Sequence, residues 1–140
     1  MTIPLRPSSG GGVGPEAPSA YERMGGHDTF VRLVAVFYQG VASDEPLRAL
    51  YPEADLAPAA ERLTMFLEQY FGGPDTYSEQ RGHPRLRMRH AEFAVTPAQR
   101  DRWLTHMLAA CEEIALPEAE DTELRSYLTY AANFMVNAED

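Results

Sequence analysis

Hydrophobic positions recur at helical spacing along most of the chain, and each run begins or ends on a recognisable signal. Ser19-x-x-Glu22 has capping-box spacing, and Gly25-Gly26 stops that first helix after barely two turns. Asp28 is then placed to cap a longer helix in which Phe30, Val34, Phe37 and Val41 share one face. Pro46 suits a short helical turn that ends near Tyr51-Pro52. Pro58 opens the next helix, which carries Leu63, Phe66, Leu67 and Tyr70 before Gly72-Gly73-Pro74 breaks it. A polar loop follows, PDTYSEQRGH, and Pro84 starts a short helix through about Phe93. Thr96-Pro97-Ala98-Gln99 combines a cap, a first-turn proline and a box partner. Behind it Trp103, Met107, Cys111 and Ile114 line one face. After Pro117 a last helix over roughly 121–136 offers Leu124, Leu128, Ala131 and Met135. No stretch alternates with period two, and no hairpin dipeptide separates β-branched runs. The pattern predicts an all-α fold.

The pattern has nothing to work with before Ser19. Residues 1–18 are rich in Gly, Pro and Ser and hold little to bury. Ordering them would cost about 1–2 kcal/mol per residue without compensating contacts, so a disordered tail ahead of one domain over 19–140 is expected. GGGVG resembles a phosphate-cradling loop only superficially, because no strand precedes it and no helix follows directly.

Composition narrows the partners. The chain has 140 residues, 44% of them hydrophobic, enough for one modest core. A net charge of −9 argues against nucleic acid and against an anionic membrane, since phosphate binding needs excess cations. No run approaches the roughly eighteen apolar residues of a membrane span. MTIPLRPSS lacks the apolar core of a signal peptide, and the one cysteine, Cys111, fits a reducing compartment, so the cytoplasm is expected. Mid-helix on the apolar face, Cys111 reads as structural rather than nucleophilic.

One stretch departs from the acidic background. Arg81, Arg85, Arg87 and Arg89 crowd the segment RGHPRLRMRHAEF, and His90 follows the last of them. Leu86, His90 and Phe93 fall at i, i+4 and i+7, so His90 shares the apolar face while Arg85 and Arg89 form a neighbouring stripe. A core histidine bonded to a carbonyl and a neutral imidazole ligating a metal both fit that placement. Zinc fails, because His27, His83, His90, His106 and Cys111 show no paired ligand spacing. A lone histidine suffices only if the metal brings most of its own ligands. Haem does so, leaving an axial position for the protein. Its carboxylates would account for cations in an acidic chain, and its faces need a slot such as Phe37, Leu63, Phe66 and Phe93 could line.

At this point the motifs resemble a known family. ERMGGHDTF, RLTMFLEQYFGGPDTYSEQRGHPRLRMRHAEF and RDRWL are similar to the truncated haemoglobins of group II, from about Tyr21 to Asn137. The resemblance implies a truncated globin fold, a two-over-two helical sandwich around haem b, with His90 as the proximal iron ligand. It also implies that Tyr38, Tyr51 and Trp103 stand near the bound gas and offer two hydroxyls and one indole N–H. Ala59 occupies the place where many haemoglobins carry a distal histidine, and Leu63 and Phe66 line the pocket from the same helix. Arg62 matches a basic position that pairs with a haem propionate, while Arg89, Tyr77 and His83 are further candidates for that edge.

Two function classes follow from the resemblance. One is a ligand-binding haemoprotein that holds dioxygen, carbon monoxide or nitric oxide. The other is a redox enzyme, a nitric oxide dioxygenase or a peroxidase-like catalyst, which would need a separate reductase because none is attached. Slow release from two effective donors suits chemistry or sensing better than bulk delivery, and dioxygen binding is the reading adopted, with enzyme activity left open. A haem-free helical interaction module would fit the amphipathic helices alone but leaves the distal set unexplained. The family often forms homodimers, yet no apolar stripe here requires one.

Overall fold

The computed structural model describes residues 18–75, 77 and 95–139. Among them there are six helices and no strand: α1 (Ala20–Arg23), α2 (His27–Ala42), α3 (Glu45–Arg48), α4 (Ala57–Tyr70), α5 (Pro97–Ile114) and α6 (Glu118–Met135). The short helix expected from Pro84 to Phe93 lies outside the described residues, as do residues 1–17 of the expected tail.

The caps read from the sequence are largely in place. Ser19 Oγ accepts the Glu22 amide at 3.1 Å, and Thr96 Oγ1 accepts the Gln99 amide at 3.1 Å. Pro46, Pro58 and Pro97 each sit in the first turn of a helix, where the amide they lack has no partner to lose. Two boundaries differ from expectation. α2 starts at His27 with Gly26 at the cap position, because Gly25 and Gly26 adopt φ of 112° and 73° and turn the chain into the helix sooner. Asp28 therefore lies in the first turn, where its charge complements the helix dipole rather than capping it. α6 begins three residues early, at Glu118, since Pro117 takes the cap position and Glu118, Glu120 and Asp121 favour the helix start.

α2 packs on α4 and α5, α5 packs on α6, and the short α3 bridges α2 and α5. This is the two-over-two sandwich. α2 supplies its centre with Phe30, Leu33, Val34, Phe37 and Val41, all buried. Met107 and Cys111 meet them from α5, Leu67 from α4, and Leu124 and Leu128 extend the core from α6. Each such side chain contributes about 1.5–3 kcal/mol through removal from water. Gly40 sits where α2 and α5 approach, and any side chain there would collide with the His106 ring. Two ties close the ends: the Tyr21 amide donates to the Phe71 carbonyl at 2.8 Å, and Asn137 exchanges hydrogen bonds with the backbone of Val95 at 2.8 and 2.9 Å. None of the described helices is long and apolar enough to cross a membrane.

Candidate functional site

A partly open cavity of about 310 Å³ lies between α4 and α6, within the range of small-molecule sites. One flank is α4, through Ala59, Leu63 and Phe66; the other is α6, through Leu128, Ala132 and Met135. Helical spacing explains both flanks, since each set repeats every three or four residues and so faces one way. Ala59 is buried and adds no polar group to its wall.

The polar groups gather at one end. Tyr38 comes from α2, Tyr51 from the segment between α3 and α4, and Trp103 from α5, and all three line the cavity. The rings of Tyr38 and Tyr51 meet edge-on at 5.6 Å, and Phe37 fills the space behind, 4.9 Å from Tyr38 and 5.2 Å from Trp103. Tyr38 and Tyr51 interact through their hydroxyls, and the Trp103 indole, which has only an N–H to offer, acts on the Tyr51 hydroxyl. A phenol oxygen has two acceptor positions and one proton. A bond between the two phenols uses one of their two protons, so one phenol O–H remains to be offered to the cavity. Burial raises the pKa of both phenols above the ordinary value, so they stay protonated near neutral pH.

Cations stand along the cavity's edge. Arg62 lines it, half-buried, with Nη2 2.8 Å from Glu53 Oε1. Arg100 lines it from α5 and is held by Asp101 and Asn133, each at 3.0 Å. Tyr77 is buried with its ring 5.4 Å from Phe66. His90, His83, Arg89 and Phe93 lie outside the described residues. The two described histidines are engaged away from the cavity: His27 Nδ1 is 2.6 Å from Glu68 Oε2, and His106 Nε2 is 2.8 Å from Asp44 Oδ2. Among the described residues no group of His, Cys, Asp and Glu could hold a bare metal ion.

The structure thus brings together Tyr38, Tyr51, Trp103, Ala59, Leu63, Phe66, Arg62 and Tyr77, as read from the sequence. Sequence reading missed Gln99, Arg100 and Tyr127. Tyr127 could have been found, because it falls three residues after Leu124 on the face that α6 buries. The chemistry of the lining suits haem: two apolar walls for the macrocycle, cations at an edge for its carboxylates, and donors at one end for a gas. Buried Gln99 Oε1 and Tyr127 Oη, without partners among the described residues, add an acceptor from α5 and a hydroxyl from α6 to the lining.

Two helix pairs around one apolar slot define a small globin-type fold. A profile of the bacterial-like globins matches residues 19–137, from the Ser19 cap to the Asn137 clasp. The chain belongs to that family, among the group 2 truncated haemoglobins. It is 39% identical over 132 residues to group 2 truncated hemoglobin YjbI of Bacillus subtilis, covering 91% of this chain and 98% of the relative. The structure superposes with TM-score 0.84 on a thermostable hemoglobin from the actinobacterium Thermobifida fusca, 57% identical, covering 86% of this chain and 98% of that one. It superposes with TM-score 0.81 on the truncated oxygen-avid haemoglobin of Bacillus subtilis, 38% identical, covering 86% of this chain and all of that one.

Proposed function

We propose that the protein binds haem b and holds dioxygen there, with carbon monoxide and nitric oxide as alternative ligands, and that His90 is the axial ligand. The observation that carries this reading is the donor end of a largely apolar slot, where Tyr38, Tyr51 and Trp103 meet. Haem, when bound, supplies the iron at which a diatomic gas is held. The chain's part is to bury that gas and to present the Tyr51 O–H to it. Dioxygen, which draws electron density, gains more from such a donor than carbon monoxide does. In this reading the Trp103 indole, which can only donate, donates to the Tyr51 oxygen and makes the Tyr51 proton a stronger donor, as hydrogen bonds in a chain polarise one another.

His90 is supported by what surrounds it in the sequence and by the engagement of His27 and His106 elsewhere. His83 precedes Pro84, which opens the expected helix, whereas His90 falls within that helix at i+4 from Leu86 and three residues before Phe93. Arg62, with Arg89, Tyr77 and His83, is assigned to the propionate edge. Cys111 is buried, and burial pushes its thiol up to about 11, so it stays protonated and inert, which accords with a reducing cytoplasm. A redox enzyme would use the same pocket together with a separate reductase, and the described lining adds no group that favours it.

Absorption spectra of the purified protein, as isolated and after reduction under carbon monoxide, test the reading. A Soret band that shifts on carbon monoxide binding is expected. A protein that takes up no haem on reconstitution would overturn it.

A further inference from the structure

Tyr51 is the one member of the donor cluster that no helix holds. It lies in the segment from Ala49 to Leu56 that joins α3 to α4. Its amide still donates to the Arg48 carbonyl at 3.0 Å, but the carbonyls beyond it have no ladder to join. They converge on one side chain. Arg48 Nη1 donates to the Tyr51 carbonyl at 2.7 Å, and Nη2 donates to the carbonyls of Glu53 at 2.6 Å and Ala54 at 3.1 Å. The guanidinium is half-buried, so these bonds are partly shielded from competing water.

We infer that Arg48 is a positioning residue for the ligand pocket: by gripping the carbonyls of Tyr51, Glu53 and Ala54 it fixes the segment that hangs the Tyr51 phenol between Tyr38 and Trp103. The geometry requires arginine. A planar fork with several fixed N–H directions can meet three carbonyls from two nitrogens, whereas a lysine ammonium presents its donors from a single point. The far end of the segment is held independently, by Arg62 on Glu53 Oε1 at 2.8 Å and by Asp55 Oδ1 on the Ala57 amide at 2.9 Å. Loss of Arg48 therefore frees the Tyr51 end first, without detaching α4. Arg48 is not among the residues lining the cavity, so its influence on a ligand passes through Tyr51.

This inference rests on the dioxygen-binding reading for its consequence but not for its geometry, and the test separates the two. Arg48→Met and Arg48→Lys are compared with wild type and with Tyr51→Phe, as full-length protein. Hydrogen–deuterium exchange of the peptide spanning 49–56 should rise in Arg48→Met and rise less in Arg48→Lys, while exchange in α4 and α6 stays as in wild type. Dioxygen release, by stopped flow on the haem-loaded protein, should quicken roughly three- to tenfold in Arg48→Met, the scale of one weakened hydrogen bond. In a Tyr51→Phe background the same substitution should change release less than about twofold, because the group it positions is gone. Unchanged exchange over 49–56, or an equal change of release in both backgrounds, overturns the inference. If Arg48→Met does not fold, Arg48→Lys carries the same comparisons. A wild-type protein that takes up no haem defeats the function proposed above, and the exchange measurement then decides the role of Arg48 alone.

Discussion

His106 Nε2 on α5 lies 2.8 Å from Asp44 Oδ2, at the turn where α2 gives way to α3. The same carboxylate accepts the Leu47 amide at 3.4 Å, capping α3, and Arg102 Nη1 at 2.9 Å. One acidic group thus joins α5 to the start of the element that leads to Tyr51. Gly40 makes the approach possible by leaving room for the His106 ring.

The first prediction follows from that carboxylate. The hydrogen bond from His106, then the Leu47 amide and Arg102, hold the Asp44 pKa below its ordinary value. A carboxyl depressed in the folded state contributes stability above its unfolded pKa of about 3.9 and loses it as pH falls through the folded value. Asp44→Asn should therefore melt lower than wild type at pH 7, and the difference should shrink as pH is taken below about 4. Thermal melts across pH check this. A gap of constant size down to pH of about 2 would mean that the charge of Asp44 contributes nothing.

Glu68 leads to a second prediction. Its side chain is 7% exposed, lies 2.6 Å from His27 Nδ1, and its charge helps hold the Tyr21 phenol protonated. It thus fastens α1 and the start of α2 to the end of α4. Glu68→Ala removes a buried carboxylate that His27 binds and that faces Tyr21, and should cost about 1–3 kcal/mol in urea unfolding. His27→Ala should cost less, under about 1 kcal/mol, because His27 is 65% exposed and water can replace it. Equal losses for the two variants would show that the pair, rather than the Tyr21 contact, holds the corner.

A third prediction concerns the axial ligand. His90→Ala should abolish stable haem retention, or leave a spectrum that free imidazole restores. Reconstituted His83→Ala should keep the wild-type ferrous spectrum. If the two variants exchange these behaviours, the iron ligand is His83.

What the sequence made legible, and what it did not, has a physical pattern. Helix faces were readable because Phe30, Val34, Phe37 and Val41, or Met107, Cys111 and Ile114, repeat with the period that burial demands. Caps were readable where a side chain makes the bond, as at Ser19 and Thr96. The start of α2 was misjudged because glycine conformation, which leaves no side-chain signature, sets it. Tyr38, Tyr51 and Trp103 could be singled out only through the family resemblance, since they come from three separate elements and no spacing relates them. Arg48 was invisible for a related reason: its partners are backbone carbonyls, which every residue has.

Trp103 gives the prediction that best separates a relay from three independent donors. From the sequence, two phenols and an indole could each have donated to the gas. In the structure the indole acts on the Tyr51 hydroxyl, and an N–H has one proton to give, which points to donation to Tyr51 instead of to the gas. Trp103→Phe keeps a large aromatic against Phe37 while deleting that donor. If Trp103 bonded the gas directly, dioxygen release should quicken about ten- to a hundredfold, matching about 1.5–3 kcal/mol for a bond to a charged acceptor. If it acts through Tyr51, the loss is that of a neutral bond, about 0.5–1.5 kcal/mol, or roughly two- to tenfold. The relay also predicts that Trp103→Phe has little further effect on release once Tyr51 is Phe, whereas independent donors would add. Carbon monoxide separates polarity from size: space opened by the smaller ring should quicken the binding of both gases, while a lost donor should act mainly on dioxygen release. Stopped-flow rates for the two gases in the two single variants and the double variant give every quantity needed. The relay fails if Trp103→Phe quickens dioxygen release equally with and without the Tyr51 hydroxyl.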